Sequence, residues 1–266
     1  MNEVVKTGNP VLSSTISQFR YDGSFEGFLT AIFELFTHKA FTASIVRKGK
    51  PDALFGASSE VISDPVKAGR VLEGLKKRLS KEAVSDLFAV WLSELDSVEQ
   101  VLTGYMLYAF QTAANIENDF SNFYVLDLRK VVKMVSRERH RMKAFIRFSR
   151  LTDDLYFARV EPDFNVLPLI QAHFTDRYAD QRWLIYDQKR KYGIYYDLNE
   201  VQLIELSEGH GPENSVMHDE ENAFRHLWQN YFTNVNIESR KNTVLHLRHV
   251  PRRYWKLLTE KSINSL

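Results

Sequence analysis

Val125-Leu-Asp-Leu-Arg-Lys-Val-Val-Lys-Met-Val135, followed by Ser136-Arg-Glu-Arg-His-Arg-Met-Lys143 and then Ala144-Phe-Ile-Arg-Phe148, changes its period along its length. Val125, Leu128, Val131, Val132 and Val135 recur at helical spacing, while Lys130, Lys133, Arg137 and Arg141 fall on a different side of the same helix. From Ala144 the alternation has a period of two. Ala144 to Phe148, the turn Thr152-Asp153-Asp154 and Leu155-Tyr-Phe-Ala-Arg-Val160 are predicted to form a β-hairpin. Downstream, Asn165 is expected to cap a helix carrying Val166, Leu167, Ile170 and Phe174, with Pro168 tolerated in its first turn. Trp183-Leu-Ile-Tyr-Asp187, Gly193-Ile-Tyr-Tyr196 and Val201 to Leu206 read as strands. The order β-β-α-β-β-β implies an antiparallel or mixed sheet with a covering helix, an α+β unit.

Upstream the pattern is largely helical. Tyr21-Asp22-Gly23-Ser24 is a strand-to-helix turn, with Gly23 permitting the bend and Asp22 or Ser24 capping a helix striped by Phe25, Phe28, Leu29, Ile32 and Phe36. A short β-rich segment covers Phe41 to Val46, Asp52 to Phe55 and Val61-Ile62. Three further helical patterns follow, marked by Leu72, Leu75 and Leu79, then Val84 to Leu95, then Val98 to Ala109. The polar cluster Asn115 to Asn122 suggests a division into a mostly helical part, 1–118, and a second part, 119–266, unless the two form one continuous domain. Ser207 to His218 reads as an exposed loop, Phe224 to Phe232 as another helical pattern, and Val244 to Leu258 as a basic, aromatic tail ending in a short helix that Pro251 is expected to open.

The 266 residues are 44% hydrophobic and 26% charged, a globular composition. There is no cysteine, which excludes disulfides, thiolate nucleophiles and iron–sulfur ligation by this chain. The first residues lack the pattern of a secretory signal, and the most apolar run, Phe28 to Phe36, is far shorter than a membrane span of roughly 20 residues. A soluble, cytoplasmic protein that does not enter membranes is expected. The net charge of +1 hides a segregation. Arg129 to Arg150 holds nine Lys/Arg against the single acid Glu138, and Glu238 to Leu266 holds seven against two acids. Such poles attract polyanions whatever the overall charge.

Lys130, Lys133, Arg137, His140, Arg141, Lys143 and Arg147 are therefore candidate contacts to nucleic acid phosphates. Arg252, Arg253, Tyr254 and Trp255 interleave cations with rings that could stack on bases, or else dock the last helix on the core. His173, Asp176 and Arg177 share one side of the Asn165 helix, and Asp163 and Asp187 sit at the ends of neighbouring elements. Asp163, His173 and Asp187 are the candidates for acid–base work on nucleic acid, against the plainer reading of surface ion pairs. No histidine or carboxylate pattern has the spacing of a metal site, and neither glycine-rich phosphate motif occurs, so no cofactor is expected of the chain itself.

Tyr21-Asp-Gly-Ser-Phe-Glu-Gly-Phe-Leu29, His140-Arg-Met-Lys-Ala-Phe-Ile-Arg-Phe148, Glu161-Pro-Asp163, Val166-Leu-Pro-Leu169, His173-Phe174, Arg177, Trp183 to Asp187, Arg190, Gly193 and Val250-Pro-Arg-Arg-Tyr-Trp-Lys256 together resemble one family. It is the bacterial "probable DNA metabolism" or putative DNA repair protein family, built on a domain of unknown function. The resemblance implies DNA as a partner and a companion radical SAM protein acting in DNA modification or repair; a similar domain is fused ahead of uracil-DNA glycosylase domains elsewhere. It implies no catalytic residues. The matching positions His140, Arg141, Lys143, Arg147, His173, Arg177, Asp187 and Arg190 become candidates for a DNA-facing surface. Three readings stand: a DNA-binding accessory to the radical SAM protein, an enzyme using Asp163, His173 and Asp187, or a scaffold that docks on the radical SAM subunit.

Overall fold

The computed structural model describes residues 16–51, 56–151, 154–205 and 250–258. Asp52 to Phe55, Thr152-Asp153, the Ser207–His218 loop, the Phe224–Phe232 pattern and Val244 to His249 lie outside the described residues. The chain divides into two compact units, one of Met1–Trp91 with Leu95–Val131 and one of Leu92–Glu94 with Val132–Leu266. In this division Val131 belongs to the first unit and Val132 to the second.

The first unit begins with β1 (Ile16–Tyr21), α1 (Phe25–Thr37), β2 (Ser44–Arg47) and β3 (Ala57–Glu60). β1 lies between β2 and β3 and pairs parallel with both, so this largely helical unit contains a small parallel sheet beyond the β-rich segment expected. Ser24 caps α1 by accepting from the Gly27 amide at 2.9 Å. Gly27 is dictated by crowding at that cap: a Cβ there would lie 2.3 Å from Asp22 Oδ1 and 2.6 Å from Ser63 Oγ. Gly23, just before the cap, has φ +93°, backbone that favours glycine. α2 (Pro65–Lys76), α3 (Lys81–Trp91) and α4 (Val98–Gln111) match the three expected helical patterns. Tyr21, Arg47 and Glu99 join β1, β2 and α4. The Glu99 carboxylate accepts from the Tyr21 hydroxyl at 2.9 Å and from Arg47 Nε at 2.7 Å.

α5 (Phe123–Phe145) starts in the first unit and continues into the second. The second unit adds β4 (Ser149–Arg150), β5 (Tyr156–Val160), α6 (Leu167–Arg177), β6 (Trp183–Asp187), β7 (Tyr192–Tyr196), β8 (Val201–Glu205) and a 3-10 turn, Arg252–Leu257. Its sheet runs in the order β4-β5-β6-β7-β8, with β5 and β6 parallel across α6 and every other pair antiparallel. It is the mixed sheet with a covering helix of an α+β protein. Leu167, Ile170 and Phe174 of α6 are buried, and Phe174 packs on Trp183 with ring centroids 6.2 Å apart. The opposite face carries a smaller cluster of Leu151, Phe157 and Leu184.

Two local expectations are corrected. Ala144 and Phe145 extend α5 rather than opening a strand, and the hairpin shrinks to the two-residue β4 against β5. The buried series Leu128, Val131, Val135, Glu138, Met142 and Ile146 keeps helical spacing through that stretch, so continuing the helix buries Met142 and Ile146 on the same side. Nor does Asn165 cap α6: its N-cap is Val166, with Pro168 in the first turn. The Asn165 side chain instead accepts from the Tyr192 hydroxyl.

Candidate nucleic-acid interface

α5 sorts its residues by burial. Lys130, Lys133, Arg137 and His140 are exposed, on the side away from Val125, Leu128, Val135 and Met142. Lys130, in the first unit, is paired with Asp127 at 2.8 Å. Lys133, Arg137 and His140 stand in the second unit along roughly 11 Å of helix axis, at 1.5 Å per residue. Among the described residues, Lys133, Arg137, Arg139 and Lys143 have no carboxylate partner. Met134, also exposed, sits beside the row. Cations at successive turns without internal counter-ions can neutralise successive phosphates.

The remaining candidates behave differently. Arg147 Nη1 donates to the carbonyls of Ala144 at 2.7 Å and Ile146 at 3.2 Å, closing the end of α5. Arg141 is half-buried and leans toward Glu138 at 3.7 Å. Arg177 is exposed and lies over the Tyr178 ring at 5.7 Å. Arg252 is exposed over the Trp255 ring at 5.9 Å, and Trp255 donates its indole N–H to the Val250 carbonyl at 3.1 Å.

Tyr254 and Arg190 are not available as contacts. Tyr254 is buried, with its hydroxyl 2.6 Å from each oxygen of the Glu138 carboxylate, so its ring docks the closing turn on α5 instead of stacking on a base. Burial first, then the hydrogen bond to Glu138, pushes the phenol well above its ordinary pKa. Arg253 links the same carboxylate, at 3.0 Å, to Asp163 Oδ2, at 2.7 Å. The Asp163 amide donates to Glu138 as well, at 2.9 Å. The charge count names Glu138 but misses its burial: the lone acid in a basic stretch falls in register with Val135 and Met142, and that register is the signal that would have found it.

Arg190 lies at the centre of a second knot. Its guanidinium donates to Glu94 and Asp187, each at 2.8 Å, and to the carbonyls of Pro162 at 3.1 Å and Asp163 at 2.9 Å. Asp187 is fully buried and also accepts from the amides of Lys189 and Arg190. Two of the three acid–base candidates meet at Arg190, which binds the Asp187 carboxylate and the Asp163 carbonyl, and the Asp163 carboxylate is held by Arg253 as well; the charged groups acting on His173 are Lys143, Arg177 and Asp176. No three His, Asp or Glu side chains gather as metal ligands among the described residues. The small hollow bounded by Met142, Phe145, Ile146, Arg159, Val160, Tyr254 and Leu257 is mostly apolar and is lined by none of the three.

The chain belongs to the family described as a domain of unknown function (DUF4130), whose model matches residues 96–260, more than half of its length. That span takes in α4, α5, the five-stranded sheet with α6, and the closing turn. No curated protein and no solved structure matches the chain. Among the described residues no helix is long and apolar enough to cross a membrane.

Proposed function

We propose that this protein is a DNA-binding accessory factor in DNA repair or modification that works beside a radical SAM protein. One observation carries the DNA part: the exposed side of α5 holds Lys133, Arg137 and His140 in a row whose Lys and Arg lack carboxylate partners among the described residues. Partnered cations would already be neutralised. Unpartnered ones at 6 Å steps or less, from the rise of about 1.5 Å per residue, suit a phosphate backbone. The radical SAM partner is supported by the family resemblance, and the lack of cysteine assigns any iron–sulfur chemistry to that partner. The enzymatic reading draws no support from Asp163 and Asp187, whose carboxylates are already paired with Arg253 and Arg190, nor from His173, whose charged surroundings include neither.

The test is salt-dependent binding of duplex and single-stranded DNA. Every phosphate that the protein no longer neutralises lowers the slope of log affinity against log salt by about 0.9 on duplex, so Lys133→Ala with Arg137→Ala should lower it by about 2. An unchanged slope and affinity overturns the DNA reading. Co-purification with the radical SAM protein that survives nuclease supports the second half, and failure to co-purify overturns it.

A further inference from the structure

Arg253 is held through one of its three nitrogens. Nη2 donates to Glu138 at 3.0 Å and to the Tyr254 hydroxyl, and it meets Asp163 Oδ2 at 2.7 Å, while the guanidinium lies over the Tyr254 ring at 4.6 Å. Nε and Nη1 meet no acceptor among the described residues, and the side chain is 40% exposed. Of its two carboxylate partners Glu138 is 2% exposed and Asp163 49%, so the buried one fixes the guanidinium whether or not the other is present. The Asp163 backbone is fixed as well. Its amide donates to Glu138 at 2.9 Å, and its carbonyl accepts from Lys189 Nζ at 3.1 Å and from Arg190 Nη2 at 2.9 Å. Its carboxylate, with Arg253 as sole partner among the described residues, is free to turn away. Lys189 is exposed and has no carboxylate partner among the described residues.

These are the parts of a phosphate contact whose seat is already filled. A guanidinium presents N–H donors in a rigid fork that fits phosphate as well as carboxylate, and a neighbouring ammonium adds a compact charge. An exposed ion pair contributes little, so exchanging one anion for another on the open side of Arg253 costs little. Resting on the DNA reading for the ligand, we propose that Arg253 and Lys189 contact a phosphate of the bound strand, and that the Asp163 carboxylate occupies the guanidinium as a stand-in until that phosphate displaces it. Asp163 is then a brake on binding, because part of the affinity is spent in turning its side chain away. Arg190 takes no part, since Glu94, Asp187 and two carbonyls already fill its fork.

The experiment measures the affinity of the full chain for a short DNA duplex against salt, with urea denaturation checking that each variant folds. Asp163→Asn removes the stand-in charge and should tighten binding about two- to fivefold, the worth of an exposed pair. In an Arg253→Gln background the same change should give no gain, and Lys189→Ala should lower the salt slope by about 0.9. Asp180→Asn is the control for overall charge: Asp180 is exposed in the same unit, makes no ion pair among the described residues, and keeps the test decidable should Arg253→Gln not fold. Equal gains for Asp163→Asn and Asp180→Asn, no gain for either, or a gain that persists with Arg253→Gln overturns the stand-in. If Lys133→Ala with Arg137→Ala still lowers the slope in that case, the α5 row keeps the DNA reading. A gain for Asp163→Asn above the control, with a slope indifferent to the α5 variant, upholds the stand-in and overturns the α5 row. No binding by the wild type or by Asp163→Asn overturns both.

Discussion

The Tyr254 hydroxyl sits 2.6 Å from both oxygens of the Glu138 carboxylate, across a separation of 116 residues. Glu138 needs such a partner because it occupies the buried register of α5, and a buried carboxylate without donors is costly. Tyr254→Phe removes one donor while keeping the ring. It should lower stability by about 1.5–3 kcal/mol, the range for hydrogen bonds to charged groups. Urea denaturation of the full chain measures this, and a change within error would show that the pair adds nothing. DNA affinity should stay the same.

The same pair predicts a response to alkali. The folded pKa of Tyr254 is raised by burial and then by Glu138, so between the unfolded and folded values the native state holds a proton that the unfolded chain has released. Stability from this group is complete below about pH 10, the ordinary tyrosine value, and falls as pH climbs toward the folded value. The stability gap between wild type and Tyr254→Phe should be flat up to that point and shrink beyond it. A gap that shrinks at neutral pH would assign the effect to another group.

Arg190→Ala leaves Asp187 buried without its guanidinium. Removing one partner of a buried pair typically costs about 3–5 kcal/mol. Arg190→Lys should recover only part of this, since one ammonium cannot reach Glu94, Asp187 and two carbonyls as a planar fork does. Thermal unfolding ranks the three proteins, and a lysine variant equal to wild type would contradict the fork. At temperatures where each remains folded, DNA binding should be unaltered, in contrast to Lys133→Ala with Arg137→Ala.

At the α1 cap, Gly27→Ala would force a methyl against Asp22 Oδ1 and Ser63 Oγ. Overpacking of this kind costs about 1–3 kcal/mol. Asp22→Ala removes the nearer obstacle, so the double variant should be destabilised by less than the sum of the two single variants, as a double-mutant cycle by urea denaturation would show. Strict additivity would mean that the close approach is not what requires glycine.

The α+β class, the covering helix and the three strands from Trp183 to Glu205 were legible because their apolar periods are long and unambiguous. The parallel sheet around β1 was not, because Ala57-Ser-Ser-Glu60 offers no apolar alternation and its pairing with β1 is set by tertiary contact. Ala144 to Phe148 reads equally well in either period, and only the packing of Met142 and Ile146 decides for helix. In the interface, exposure of the α5 row could be read from the opposite apolar stripe. That Tyr254 turns inward could not, since its carboxylate partner Glu138 is distant in sequence; for Arg190 the nearby partner Asp187 was in view, but Glu94, which completes the knot, was not.

The distance in sequence between Glu138 and Tyr254 also imposes a schedule on synthesis. At about 5–20 residues per second, the ribosome makes α5 roughly 6–23 s before the tyrosine that completes it. During that interval the carboxylate has the Asp163 amide but neither the tyrosine hydroxyl nor the Arg253 guanidinium, so the last two donors of its shell arrive only with the closing turn.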